Sequence, residues 1–271
     1  MKKVILITGA SSGMGKVFAE DLAQEGHIVY GAARRTDLLQ ELEKKGVKTI
    51  ALDVTNDESM QHCVQAILDQ EGQIDVLINN AGYGSYGTIE DVSMEEAKRQ
   101  FEVNVFGLAR MTQLVLPSMR KQKSGTIINI SSIGGKIATP FGAWYHASKF
   151  AVEGMSDSLR TEVKPFGINV VVIEPGGVKS EWAEIAYDNL IKTTQNTAYS
   201  EMANKFKKAF GTTISKNAEP QVISRLISKA IASKNPKTRY SGGYMAKPAL
   251  FLRRWAGDRT MDKILLSQLP K

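Results

Sequence analysis

Apolar positions along the chain follow two alternating patterns. Short, nearly unbroken apolar runs occupy 3–8, 27–33, 47–53, 75–79, 126–131 and 169–174, and longer stretches of helical period separate them. Runs without polar alternation suit strands covered on both faces, and their alternation with helices is what parallel βαβ units require. Gly26, Gly46, Gly72 and Gly167 stand where helices should stop, because a left-handed residue is cheap there only for glycine. The spacings Thr55-Asn56-Asp57-Glu58 and Ser93-Met94-Glu95-Glu96 fit capping boxes and predict two helix starts.

From 179 to 217 strand signals stop. Trp182, Ile185, Tyr187, Leu190, Ile191, Tyr199, Met202, Phe206 and Phe210 predict an inserted helical lid there. A helix at 220–233 and a short strand at 238–240 complete the pattern, leaving a basic C-terminal tail at 241–271. The architecture these elements predict is a single α/β domain over 1–271. It is a parallel sheet covered by helices on both faces.

Composition narrows the field. Of 271 residues, 42% are hydrophobic and 23% charged, which excludes a disordered chain or a small disulfide-stapled module. A formal charge of +7 suits a phosphorylated ligand, an anionic membrane or nucleic acid alike and does not choose among them, but there is no nucleic-acid recognition motif and no basic run interleaved with aromatics. The single cysteine, Cys63, permits no internal disulfide or multi-cysteine metal site, and points to a buried helical side chain and a reducing, cytoplasmic setting. His27, His62 and His146 are scattered, so no metal site is expected. The apolar run after Met1-Lys2-Lys3 ends at Thr8-Gly9, too short for a signal peptide, and no stretch reaches the roughly 20 apolar residues of a membrane span.

Directly after the first strand comes Thr8-Gly9-Ala10-Ser11-Ser12-Gly13-Met14-Gly15, leading into a helical pattern. Glycines between a first strand and a first helix let backbone N–H groups approach a pyrophosphate, and Gly9, Ser11, Ser12, Gly13, Met14 and Gly15 are the candidate contacts. A triphosphate-binding P-loop would need glycine at Ala10 and a hydroxyl at Val17. After the second strand stands Arg34-Arg35 where a carboxylate would bind a free ribose hydroxyl. Arginine there accommodates a 2′-phosphate, so NADP(H) is preferred over NAD(H), the alternative being a solvated surface pair. Asp37 reads as a first-turn helix residue. Asp53, with Val54 behind it, either accepts from an adenine amino group or caps a strand-end turn.

Tyr145-His146-Ala147-Ser148-Lys149 sets a phenol and an ammonium four residues apart on one helix face, where the cation should lower the tyrosine's pKa. Ser132 ends the fifth strand at the carboxyl edge where such sheets bind ligands. Together they can polarise a carbonyl and give it a proton, with Lys149 holding both the phenol and a nicotinamide ribose. His146 points about 100° away from Tyr145 on a helix and is not expected to touch substrate. A serine hydrolase is excluded by the missing G-x-S-x-G elbow.

Thr8-Gly9-x-x-x-Gly13-x-Gly15, Asn79-Asn80-Ala81-Gly82, Asn104, Ser132, Tyr145-x-x-x-Lys149 and Pro175-Gly176 occur in that order, and with them the chain resembles the short-chain dehydrogenase/reductase family. The resemblance implies a doubly wound, Rossmann-type parallel sheet of about seven strands, ordered 3-2-1-4-5-6-7, and a catalytic tetrad of Asn104, Ser132, Tyr145 and Lys149, with Asn104 holding a proton-relay water. From its residues alone, the other reading of Asn104 is a structural hydrogen-bonding side chain in an apolar helical stretch. The resemblance also assigns Asn80, Ala81 and Gly82 to the loop beside the adenosine ribose, and Pro175, Gly176 and Val178 to the nicotinamide side. It favours the members acting on hydroxysteroids, retinol and other lipid-like alcohols, and a homodimer or homotetramer built through the helices bearing Asn104 and Tyr145. Tyr83, Tyr86, Phe141 and Trp144 are expected near an apolar carbonyl or alcohol. The run 249–255 is expected to dock onto the body rather than touch a membrane. The other reading of the whole chain is a catalytically silent protein that senses NADP(H).

Overall fold

The computed structural model describes residues 2–267. Seven strands, β1 (Val4–Thr8), β2 (Ile28–Ala33), β3 (Lys48–Ala51), β4 (Val76–Asn79), β5 (Gly125–Ile130), β6 (Ile168–Pro175) and β7 (Arg239–Gly242), form one sheet in the order β3-β2-β1-β4-β5-β6-β7. Each adjacent pair is parallel, with Ile7 beside Ile78 and Ile78 beside Ile128 at its centre. This is the order the resemblance implied.

Between the strands run α1 (Gly13–Gln24), α2 (Gln40–Glu43), α3 (Asp57–Glu71), α4 (Met94–Phe101), α5 (Leu108–Gln122) and α6 (Ala143–Val163). After β6 come α7 (Trp182–Thr194), α8 (Ser200–Gly211) and α9 (Gln221–Ala232), and after β7 come α10 (Ala246–Trp255) and α11 (Asp258–Ser267). Alternate strand residues point to opposite faces. Ile5 and Ile7 of β1 therefore join Phe18 and Leu22 of α1 and Ile223 and Ile227 of α9 on one side. Val4 and Leu6 join Cys63 and Ile67 of α3 and Met111 and Val115 of α5 on the other. Every one of these side chains except Val4 is fully buried. Burial among apolar neighbours also pushes the Cys63 thiol up to about 12.

Gly26, Gly46, Gly72 and Gly167 all take left-handed backbone, with φ between 70° and 89°. Ser93 caps α4 as read, its hydroxyl accepting from the Glu96 N–H. The other start lies one residue later than read. Asn56, not Thr55, caps α3 by accepting from the Ser59 N–H at 2.8 Å, while the Thr55 hydroxyl donates to Asp53. The expected tail is also corrected: β7 runs to Gly242, and two helices follow it.

Because successive crossovers leave β1 and β4 toward opposite faces, a crevice opens beyond their carboxyl ends. All the chemistry described below gathers there.

Candidate active site

The floor of the crevice is the turn after β1. Gly9 has φ +71°, and a Cβ on it would sit 2.8 Å from the Ala81 Cα; a Cβ on Gly15 would overlap the Gly9 carbonyl oxygen and Asn80 Nδ2. Only glycine allows the turn, the first helix and the β4 loop to close up this far. Thr8 and Asn80 tie that junction: Thr8 Oγ1 accepts from the Asn80 and Ala81 N–H groups at 3.0 Å, and Asn80 Nδ2 donates to the carbonyls of Thr8 and Gly9. What remains facing the crevice is the free N-terminus of α1, an anion site by its unpaired N–H groups and dipole.

A cavity of about 1250 Å³ extends from this turn across the sheet edge. Its walls include Gly9, Ser11, Ser12, Gly13, Met14, Gly15, Arg34, Arg35, Asp53, Val54, Asn80, Ala81 and Gly82 at one end. Ser132, Tyr145, Lys149, Pro175, Gly176 and Val178 lie further along. Arg35 reaches back to the glycine turn, its Nη2 donating to Ser12 Oγ at 3.3 Å. Asp37, the rival acid, opens a short helical turn before α2 and is exposed, away from the cavity walls. Asp53 serves as a turn cap, accepting from the Thr55 N–H and hydroxyl at 2.9 and 2.7 Å, and also faces the cavity. Burial opposes its ionisation, but those two bonds with Arg34 and Arg99 hold its carboxyl below the usual range. The glycine cradle and the helix end fit the phosphates of a dinucleotide.

At the middle of the cavity, α6 presents Tyr145 and Lys149 on one face. Lys149 Nζ donates to the Ile130 carbonyl at 2.9 Å and lies 6.0 Å from the Tyr145 ring centre. Ser132 Oγ accepts from the Gly134 N–H at 2.9 Å and donates its own hydrogen to the Pro175 carbonyl over a long 3.5 Å, a bond that a ligand oxygen in the cavity can replace. Burial lowers the Lys149 ammonium to about 8 against the opposing charge of Glu153. Burial likewise pushes the Tyr145 phenol up to about 12, with the Ser132 hydroxyl beside it pulling the other way. The lowering expected for Tyr145 is therefore not present. Its ring is packed against Trp182, 4.9 Å between centres, and Tyr86, and this desolvation outweighs a cation 6 Å off.

A model of short chain dehydrogenases matches residues 3–189. This chain belongs to the short-chain dehydrogenase family. It is 40% identical over 97% of its length, and 96% of the relative's, to a 3-ketodihydrosphingosine reductase of Bacteroides thetaiotaomicron. It is 33% identical to an NADPH-dependent 3-dehydrocapnine reductase of Ornithobacterium rhinotracheale, covering 98% of this chain and 97% of that one. A crystal structure of a short-chain dehydrogenase from Streptomyces avermitilis superposes with a TM-score of 0.82 at 32% identity, over 98% of this chain and 95% of the other. The chain is thus an oxidoreductase acting on CH–OH groups with a small-molecule substrate.

Three candidate residues of this dehydrogenase lie off the cavity wall: Asn104, Trp144 and Phe141. Asn104 lies in a six-residue π-helical segment, Glu102–Gly107, where α4 passes into α5. It does not line the cavity. Its Oδ1 accepts from the Tyr83 N–H at 3.0 Å, and its Nδ2 donates to the Tyr83 carbonyl and to Ser148 Oγ. Both amide hydrogens are used within the protein. Trp144 likewise turns away, edge-on to Phe101 in a separate hollow with Met94 and Phe106. Phe141 packs into the lid cluster, whereas Tyr83 and Tyr86 line the cavity as read.

Among the wall residues that were not candidates for the site are Trp182, read only as part of the lid, and Arg99 and Glu96. Trp182, the first residue of α7, covers Tyr145, and the close approach of its ring leaves no room for a Cβ on Gly84. Arg99 of α4 faces the same end of the cavity as Arg34, and Glu96 lies beside it. A cation one turn before a functional asparagine was the only signal for Arg99. His146 also reaches the cavity wall, but both ring nitrogens are held by backbone, which agrees with its reading as a residue that does not act on substrate.

Proposed function

We propose that this dehydrogenase uses NADPH to reduce a carbonyl on an apolar, lipid-like molecule. The observation that carries this reading is the continuity of the cavity. One space runs from Arg34-Arg35 and the glycine turn, past Ser132, Tyr145 and Lys149, to apolar walls of α7, α8, α10 and α11, including Ile185, Phe206, Phe210, Leu252 and Leu265. Hydride donor and apolar substrate can meet there with water largely excluded. The names of the Bacteroides and Ornithobacterium relatives, both reductases and one NADPH-dependent, favour the same reading.

When bound, the dinucleotide supplies the hydride; the chain's own residues do the rest. Ser132 turns its hydroxyl hydrogen from the Pro175 carbonyl, 3.5 Å away, to the substrate oxygen, and Tyr145 gives that oxygen a proton as negative charge develops. Lys149, fixed by the Ile130 carbonyl, has two further N–H donors for the ribose and the phenol side of the site. Asn104 acts by position, fixing the Tyr83 backbone on one side and Ser148, between the tyrosine and the lysine, on the other. Arg34 and Arg35, with the α1 N-terminus, hold the phosphates, and the 179–217 segment closes the substrate end of a single domain. Exposed Met94, Phe106 and Phe150 on α4, the π segment and α6 suit a homo-oligomer formed through those elements.

The test is a panel of long- and short-chain ketones and alcohols followed by absorbance of the reduced cofactor, with NADPH and NADH. Tyr145→Phe should lower turnover by about 10²-fold or more while dinucleotide binding persists. Unchanged turnover in that variant ends the catalytic reading and leaves the NADP(H)-sensing one. Equal activity with NADH ends the argument from Arg34-Arg35.

A further inference from the structure

Helix α10 has two different sides. At about 100° per residue, Pro248, Ala249 and Leu252 fall together and line the cavity. Around the cylinder from them lie Lys247, Phe251 and Arg254, and Trp255 stands at the C-terminal end of the helix, two turns beyond Pro248 and off the cavity wall; all four are exposed. Phe251 keeps 70% and Trp255 72% of its surface in solvent, so the run at 249–255 does not dock its aromatic side chains onto the body. Elsewhere the fold behaves in the opposite way: α1, α3, α5 and α9 turn their apolar sides into the sheet.

The exposed aromatics are set among cations. The Arg254 guanidinium lies 5.6 Å from the Trp255 ring centre, and Lys247 precedes Phe251 by one helical turn. In α11 the exposed Arg259 and Lys263 add to the basic character, while Arg253 is neutralised by Asp258 at 3.0 Å. Aromatic rings flanked by Lys and Arg on a short helix are the chemistry of an interfacial segment, whose rings enter the headgroup boundary while its cations meet lipid phosphates. A second copy of the same face is a poor partner, since a two-fold contact would bring Lys247 and Arg254 close to their own counterparts. Among the described residues no helix is long and apolar enough to cross a membrane, so this contact would lie along the surface.

We propose that α10 docks this protein on an anionic lipid bilayer through Phe251, Trp255, Lys247 and Arg254. Leu252, between the aromatic face and the cavity, then places one cavity wall against the bilayer. Docking rests on α10 alone; its use in passing an apolar chain into the cavity rests on the substrate reading above.

The experiment is co-sedimentation of the full chain with vesicles of phosphatidylcholine mixed equally with phosphatidylglycerol, and with vesicles of phosphatidylcholine alone. The wild-type protein should partition onto the anionic vesicles roughly tenfold more strongly, and less so as salt rises. Phe251→Ser with Trp255→Ser should remove that binding while turnover of a short, water-soluble ketone is kept. Both side chains are exposed and neither lines the cavity. Equal sedimentation of wild type and double variant, or no binding by either, overturns the proposal. So does a double variant whose mass by light scattering falls while vesicle binding is unchanged, because the face then belongs to a second copy. Vesicle binding by a wild-type protein that reduces no long-chain ketone leaves the docking standing and removes only the substrate reading.

Discussion

Both ring nitrogens of His146 are engaged by the loop that carries Ser132. Nε2 accepts from the Thr139 N–H at 3.0 Å, so the ring hydrogen is on Nδ1 and goes to the Gly134 carbonyl, also at 3.0 Å. The Gly134 N–H in turn donates to Ser132 Oγ. A neutral ring thus braces the serine through one peptide unit, and a Cβ on Gly134 would meet Nδ1 at 2.9 Å. Burial holds the His146 pKa below its ordinary value against the opposing Gly134 bond. The unfolded chain therefore binds the extra proton first, and stability should fall as pH drops through about 6.5 toward the lower folded value. His146→Phe keeps the bulk, leaves the buried Gly134 carbonyl and the half-buried Thr139 N–H without partners and should cost about 1–3 kcal/mol for each group that finds no water. Denaturant midpoints from pH 7.5 to 5 check this. A variant that loses nothing at neutral pH, or keeps the wild-type acid dependence, contradicts the bracing role. The histidine's position beside Tyr145 was plain in the sequence, but its partners were not. Thr139 and Gly134 reach it only because the segment after β5 folds back over α6.

At the scale of elements, the alternation of buried strands and amphipathic helices was legible because each apolar run is short and Gly26, Gly46, Gly72 and Gly167 stop the helices that precede four of the strands. The parallel sheet follows from that pattern, and its strand order from the glycine turn and the family motifs set on it. The boundaries that slipped did so where two side chains compete for one role. Thr55 and Asn56 both suit a helix cap, and the structure gives the cap to Asn56 because Asp53 occupies the Thr55 hydroxyl. Asn56→Ala should therefore lower stability by about 1 kcal/mol, seen as a shifted urea midpoint with an unchanged slope. No shift would return the cap to Thr55. The π segment at Glu102–Gly107 had no such signature: one extra residue per turn is invisible in a run that reads as continuous helix. That insertion sets Asn104 against the Tyr83 backbone and off the cavity wall. Trp144 was misplaced for a related reason, since a helix period says which residues share a face but not which face meets the ligand.

The cavity is a property of the whole chain. Its walls begin at Gly9 and end at Leu265, with the phosphate end built by β1, β2 and β4 and the apolar end by α7, α8, α10 and α11. A ligand bound at the phosphate end bridges elements far apart in sequence, so its binding energy should appear as resistance to global unfolding. For a ligand held only by the folded state, a concentration 100 times Kd adds about 2.7 kcal/mol. In a chain of this size that corresponds to a rise in Tm of roughly 5–10 °C. NADP+ should give this rise, and NAD+ at equal concentration a smaller one. Arg34 and Arg35 are exposed, so Arg34→Ala with Arg35→Ala should fold normally and leave the unliganded Tm nearly unchanged. In that variant the NADP+ shift should fall to the level given by NAD+, while the NAD+ shift stays as it was. A loss of both shifts would mean that the arginines hold the shared pyrophosphate. A loss of neither would remove them from dinucleotide recognition and transfer the 2′-phosphate question to Arg99, the remaining cation facing that end of the cavity.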